Sequence, residues 1–198
     1  MLTDGYHDVP HGKLAAVVTL LEMRQASLSK PGPPPDDLRV RRETNPSTEW
    51  YRALFRHIGS DYLWTSRLAL GPAELERIIH DVAVEVYALE HEGHDEGLLE
   101  LDFRSPGACE LAFFGVSKTL VGRGAAAGLM AWATRRAWEH PIERFWLHTC
   151  HLDHPAALRF YQKAGFVPYA RQVEVFDDPR LAGWLPRTCA PNIPLIER

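Results

Sequence analysis

Asp153-His154-Pro155-Ala-Ala-Leu-Arg-Phe-Tyr161-Gln-Lys-Ala-Gly165-Phe166 is the most informative run in this chain of 198 residues. Asp153 or His154 can cap a helix whose first turn holds Pro155, where the missing N–H costs nothing. Gly165 supplies the left-handed residue that ends such a helix, so the run predicts a helix over 154–164. His154 and Tyr161 are seven residues apart and therefore share one face, two turns from each other. Strands flank it: Arg144-Phe-Trp-Leu-His-Thr-Cys150 before and Phe166 to Phe176 after.

Upstream lies a strand-loop-helix, Phe113-Phe-Gly-Val-Ser-Lys-Thr-Leu-Val-Gly-Arg-Gly-Ala-Ala-Ala-Gly128. The helix spans Gly122 to Glu139, with Ala126, Leu129, Met130, Ala133 and Ala137 on one face and Arg135 and Arg136 on the other. Small residues at Gly122, Gly124, Ala125, Ala126 and Ala127 let the turn's backbone approach a ligand closely. The free N–H groups of the helix start make an anion site, and a diphosphate suits it; tight packing of a Gly/Ala-rich helix on the sheet is the plainer reading of the same residues. Gly122, Gly124 and Ala127 also satisfy a dinucleotide pattern, G-x-G-x-x-A. Its context is wrong, because the loop follows three apparently antiparallel strands and the next strand ends in His148-Thr149-Cys150, with no acid for a ribose.

Earlier still, Lys13 to Met23 reads as a strand, and Pro31-Gly-Pro-Pro-Pro35 as a stiff, extended connector. Asn45-Pro46-Ser47-Thr48-Glu49 opens a helix with Trp50, Ala53, Leu54 and Ile58 at helical spacing, closed by Gly59. Pro72 to His80 is a second short helix. Ala83–Leu89, Leu98–Phe103 and Glu110–Val116 are strands whose short, glycine-containing connections imply antiparallel neighbours. The order β-α-α-β-β-β-α-β-α-β predicts an α/β (α+β) domain: a mixed, mostly antiparallel central sheet flanked by helices. One domain over 1–198 is expected, with residues 1–44 as strand plus connector and 177–198 as a surface tail.

Composition agrees with an ordinary globule: 45% apolar, 24% charged, and 22 basic against 26 acidic side chains for a net charge of −4. That balance argues against nucleic acid as the main partner. The longest apolar stretch, Leu14 to Leu21, is far short of the ~20 residues that span a bilayer, and the acidic opening does not read as a secretory signal. Cys109, Cys150 and Cys189 are odd in number and far apart, unlike a disulfide framework, so a cytoplasmic location is expected.

Taken together, the two glycine-containing segments resemble the two coenzyme A-binding motifs of the GNAT superfamily of acyl-CoA-dependent N-acetyltransferases. The family's diphosphate loop, Q/R-x-x-G-x-G/A, falls on Val121-Gly-Arg-Gly124-Ala-Ala126. Its helix, Asn-Pro-x-Ala-x-x-x-Tyr-x-x-x-Gly-Phe, is matched with His154 in the Asn place, then Pro155, Ala157, Tyr161, Gly165 and Phe166. The similarity runs over residues 80–176. Val121 departs from the usual Gln or Arg, which leaves diphosphate binding to backbone N–H groups and Arg123. His154 for Asn alters the pantetheine side.

The resemblance implies the GNAT fold, acetyl-CoA as donor, and direct transfer to a primary amine of a small molecule or peptide in a ternary complex. A non-catalytic acyl-CoA-binding module and a nucleotide-dependent oxidoreductase are the rival readings. Tyr161 takes the place of the acid that protonates the coenzyme A sulfur. Glu110 resembles the glutamate base of histone-type members, and alternation would put it on one face with Ala112, Phe114 and Val116. After Phe114 the strand is expected to splay from its neighbour and to offer Gly115 and Val116 to pantetheine. His148 and Asp153 are alternative bases or substrate contacts, and Trp64, with Tyr62 and Trp50-Tyr51, lies where the family builds its acceptor pocket, core packing being the plainer reading of that aromatic cluster. His148, Cys150, His151 and His154 do not converge along a strand, so no metal is expected. A homodimer enters only as a habit of the family.

Overall fold

A computed structural model describes residues 3–26 and 35–197. Among these, the chain forms β1 (Lys13–Met23), β2 (Leu38–Glu43), α1 (Thr48–Gly59), α2 (Pro72–Ile79), β3 (Val84–His91), β4 (His94–Asp102) and β5 (Ala108–Val116). Then follow α3 (Ala125–Trp138), β6 (Arg144–Cys150), α4 (Ala157–Lys163) and β7 (Val167–Asp177). Local chemistry accounts for the boundaries. Ser47 caps α1 by accepting the Trp50 N–H at 3.1 Å, and Glu74 closes the start of α2 by accepting the Gly71 N–H at 3.0 Å. Gly165, with φ of 106°, ends α4 as its position predicts.

One strand is unexpected, and α3 and α4 each begin three residues later than the sequence predicts, at Ala125 and Ala157, so Pro155 lies before α4 and not in its first turn. Residues 38–43, assigned by sequence to a connector, form the edge strand β2, antiparallel to β3 from Leu38↔His91 to Glu43↔Val86. Its three arginines hide the alternation. Leu38 and Val40 pack inward, while Arg41 pairs with Glu43, Glu90 and Asp95 and Arg42 with Glu85. Of the proline-rich connector, residues 31–34 lie outside the described residues.

The seven strands form one sheet in the order β2-β3-β4-β5-β6-β1-β7. Every neighbouring pair is antiparallel except β5 and β6. The first strand of the chain thus sits between β6 and β7, which the sequence did not reveal. Helices cover both faces, as a mixed sheet requires. Leu21, Leu99, Leu101, Leu111, Phe145 and Leu147 meet α3 residues Leu129, Met130 and Ala133 on one face. Val84, Val86, Ala88 and Leu98 meet Tyr51, Leu54, Phe55 and Ile58 of α1 and Leu75 and Ile79 of α2 on the other.

The tail after Asp177 is less superficial than its prolines suggest. Leu185 and Ala190 are buried in the α1 core. Arg180, 3% exposed, organises the segment: it donates to Asp178 at 3.0 and 2.7 Å and to the carbonyls of Cys189, Ile193 and Pro194. Proline-rich sequence here means few backbone donors, so one guanidinium satisfies several carbonyls at once.

Candidate active site

The site originates in a fault in β5. Its pairing with β4 shifts register between Leu101↔Leu111 and Glu100↔Phe113, which leaves Ala112 as an extra, bulged residue. Alternation reverses there. Cys109 and Leu111 face the α3 side before the bulge, Phe114 and Val116 after it, and Phe113 turns to the α1 side. Glu110 therefore shares the α1 side with Phe113, and not the face of Phe114 and Val116 that unbroken alternation predicts. The divergence of the strands also begins earlier than expected. The parallel pairing of β5 with β6 stops at Glu110↔Trp146 instead of running on to Phe114.

Beyond that point β5 and β6 open a gap through the sheet, occupied by a cavity of about 670 Å³. On the α3 side its walls are Phe114, Val116, Val121, Gly122, Ala126, Ala157, Phe160 and Tyr161. On the α1 side they include Trp64, Arg67, Glu110, Phe113, His148 and Glu174. The cavity thus joins the two sheet faces, an arrangement suited to two reactants meeting in the middle.

Turn geometry builds the α3 wall. Gly122 and Gly124 have φ of 82° and 83°, the left-handed region that glycine enters at no steric cost. The Arg123 N–H bonds back to Leu120 O at 3.3 Å, and the first intrahelical bond of α3 is Gly128 N–H to Gly124 O at 3.0 Å. The first-turn N–H groups of α3 are left without intrahelical partners and aim out of the helix start. Gly122 and Ala126 line the cavity, whereas Gly124 and Ala125 shape the turn, Ala125 being buried under it. Arg123 points elsewhere: it pairs with Asp37 at 2.9 Å, outside the cavity.

Tyr161 is held among the rings of Phe114, Phe160 and Phe166 at centroid distances of 6.2, 5.5 and 6.3 Å. Burial pushes its phenol well above the usual 10, and the nearby Asp153 charge adds to this, so the hydroxyl stays protonated at neutral pH. Neither expected residue caps α4, whose N-cap is Ala156 with no side-chain capping bond; His154 closes the turn before it, accepting the Ala156 N–H on Nδ1 at 3.1 Å, and its ring meets Tyr62 at 6.3 Å. Asp153 closes the end of β6, accepting from Thr149 Oγ at 2.7 Å, Cys150 N–H at 2.9 Å and Trp64 Nε1–H at 3.2 Å. A carboxylate with three donors is a strut more than a base.

Glu110 Oε1 lies 3.5 Å from His148 Nδ1. That contact raises the His148 pKa above 6.5; burial opposes the shift, and Glu174 and Asp153 reinforce it. Cys150, the neighbouring thiol, is pushed up to about 11 by burial and then by Asp153, which keeps it neutral and a poor nucleophile.

The aromatic cluster read from the sequence divides. Tyr62 and Trp64 line the cavity. Tyr51 is fully buried and donates to Glu100, and Trp50 Nε1 donates to Asp95 at 2.9 Å. Sequence reasoning missed Arg67, Arg104, Glu174 and the buried Glu100, which accepts from Tyr51 and from Arg67 Nη2 at 2.6 Å. A signal for Glu100 existed: it is the one acid within Leu98-Leu-Glu-Leu101, and a charge inside an apolar strand demands a partner.

Comparison with known proteins places this geometry in context. The model of the acetyltransferase (GNAT) family matches residues 45–166. No curated protein matches the chain. Among solved structures, a GCN5-related N-acetyltransferase from Sphaerobacter thermophilus is similar at 15% identity and TM-score 0.63, over 87% of this chain and 53% of that one. One of the same description from Kribbella flavida gives 21% identity and TM-score 0.57, over 87% and 63%. An aminoglycoside acetyltransferase from an uncultured soil metagenomic sample gives 15% identity and TM-score 0.54, over 66% and 88%. The chain thus spans little more than half to three fifths of the length of the first two structures.

Proposed function

The chain belongs to the GNAT family of acetyltransferases, and from that premise we propose that it transfers an acetyl group from acetyl-CoA to a primary amine by direct attack within a ternary complex. The observation that carries the reading is the cavity through the sheet: a glycine turn and helix start at one mouth, a protonated phenol in the middle, and a carboxylate–imidazole pair on the opposite face.

In this reading the coenzyme A diphosphate lies on the N–H groups of Gly122 to Ala126, and pantetheine runs between Phe114–Val116 of β5 and Ala157–Tyr161 of α4. Backbone donors suffice without the side chain that Val121 lacks, because several amides and the helix dipole act together. The acceptor enters from the α1 side. Its ammonium surrenders a proton to the Glu110–His148 pair, directly or through water. The free amine nitrogen attacks the thioester carbon, so a C–N bond forms as the C–S bond breaks. The departing sulfur takes the Tyr161 proton and leaves as the thiol. As the amide forms, the nitrogen gives up its second proton, which returns through water to the phenolate and restores the phenol. A lysine-type amine has a pKa of ~10.4, so a proton acceptor near neutrality is what the step needs.

The test is a panel of primary amines, small molecules and peptides, followed by release of the coenzyme A thiol. Thermal melts with coenzyme A and with NADP run beside it, since only a ligand of the native state raises stability. Thiol release with at least one amine and a rise in Tm with coenzyme A alone are expected. A rise with NADP alone would favour an oxidoreductase, and a rise with coenzyme A but no transfer would favour a binding module.

A further inference from the structure

Trp64 is held more firmly than core packing requires of a residue that is only half-buried. Its ring occupies a slot between two glycines. A Cβ at Gly59 would lie 2.4 Å from indole Cδ2, and one at Gly115 would lie 3.2 Å from Cη2. The rings of Phe55 and Phe113 flank it, each at 5.4 Å between centroids. Its N–H reaches across the gap to Asp153 Oδ1 at 3.2 Å, joining the α1–α2 connection to the β6–α4 turn. The other carboxylate oxygen is fixed by Thr149 and the Cys150 N–H, so the strut cannot swing.

We propose that the Trp64–Asp153 pair sets acyl-chain selectivity: the indole is the wall on which the acyl group ends, and Asp153 is the positioning residue that holds the wall in place. The inference rests on the transferase reading. A thioester lying along β5 past the bulge projects its acyl group through the gap beside Gly115, where the indole stands. An unpinned ring would leave a gap of variable width, whereas a pinned one admits a short acyl group and rejects longer ones. One methylene more or less against an apolar wall is worth about 10- to 200-fold in kcat/KM. Asn at 153 has a single acceptor oxygen, so it would keep either Trp64 or the strand end, and not both.

The experiment measures kcat and KM for acetyl-, propionyl- and butyryl-CoA with one productive amine, in the wild type and in Trp64→Ala, Trp64→Phe and Asp153→Asn. Affinity for free coenzyme A is measured by calorimetry, and folding is checked by thermal melt. In Trp64→Ala the butyryl-to-acetyl ratio of kcat/KM is expected to rise at least ~10-fold, with coenzyme A affinity held within ~2-fold. Asp153→Asn should shift the ratio in the same direction although it keeps the indole, which a role limited to stability would not do. Trp64→Phe keeps a ring against Gly59 but withdraws the indole's outer edge from Gly115, and it carries the test if the Ala variant does not fold. An unchanged ratio in a variant that still turns over overturns the inference alone. A wild type that neither binds coenzyme A nor transfers overturns the transferase reading and the inference with it.

Discussion

In the proposed transfer, Tyr161 and the Glu110–His148 pair divide the proton traffic between them, and their surroundings fit that proposal. The phenol is kept protonated by burial and by Asp153, as an acid should be. Tyr161→Phe should therefore lower kcat by ~10²- to 10⁴-fold while coenzyme A affinity stays within about twofold, as read by steady-state rates beside calorimetry. His148 is held above 6.5 by Glu110. A raised folded pKa means that the proton leaves later as pH climbs, so kcat/KM should rise through a limb above pH 6.5. Glu110→Gln removes the carboxylate that retains the proton and should move that limb to lower pH, which a pH–rate profile checks. The same sign governs stability: the pair's contribution is complete below the unfolded pKa and fades as pH passes the folded value. The position of Tyr161 on the helix was legible from its spacing to His154 and Gly165, and that helix places it on the cavity wall. The orientation of Glu110 was not, because it depends on which face the strand presents after Ala112, and nothing in Glu-Leu-Ala-Phe-Phe marks the bulge.

At the scale of elements, the bulge and the glycine turn together make the site. The bulge ends the β5–β6 ladder after three residue pairs and opens the gap, while the turn aims the start of α3 at it. Gly124 adopts a φ of 83° with nothing within 4 Å of a would-be Cβ, so an Ala there is opposed by backbone strain and not by a clash. Gly124→Ala should cost about 1–2 kcal/mol in denaturant unfolding, and coenzyme A affinity should fall, because relaxing the strain turns the amides away. Most elements were legible because hydrophobic period and caps agreed, as at Ser47 and Gly165. The strand β2 was not: Arg39, Arg41 and Arg42 hide its alternation, and the carboxylates of β3 and β4 that pair with Arg41 and Arg42 are distant in sequence. Nor does local sequence say that β1 inserts between β6 and β7, since pairing partners follow from the packing of the whole sheet.

Across the whole molecule, the tail and the sheet form one packed unit: Leu185 and Ala190 sit in the core beside α1, and Arg180 ties the tail's own segments together. Its guanidinium is buried with Asp178 and collects carbonyls over residues 189–194. Arg180→Ala strands a buried carboxylate and frees those carbonyls, and should cost about 3–5 kcal/mol in denaturant unfolding. A change of less than about 1 kcal/mol would mean that the tail is an independent appendage. Leu185 and Ala190, buried beside α1, argue for the unit. The account as a whole stands on the cavity that this unit encloses, and the most direct test is a crystal structure with coenzyme A bound. The diphosphate should lie on the amides of residues 122–126 and the sulfur within hydrogen-bonding reach of the Tyr161 hydroxyl. Coenzyme A bound elsewhere, with the gap between β5 and β6 empty, would contradict the assignment.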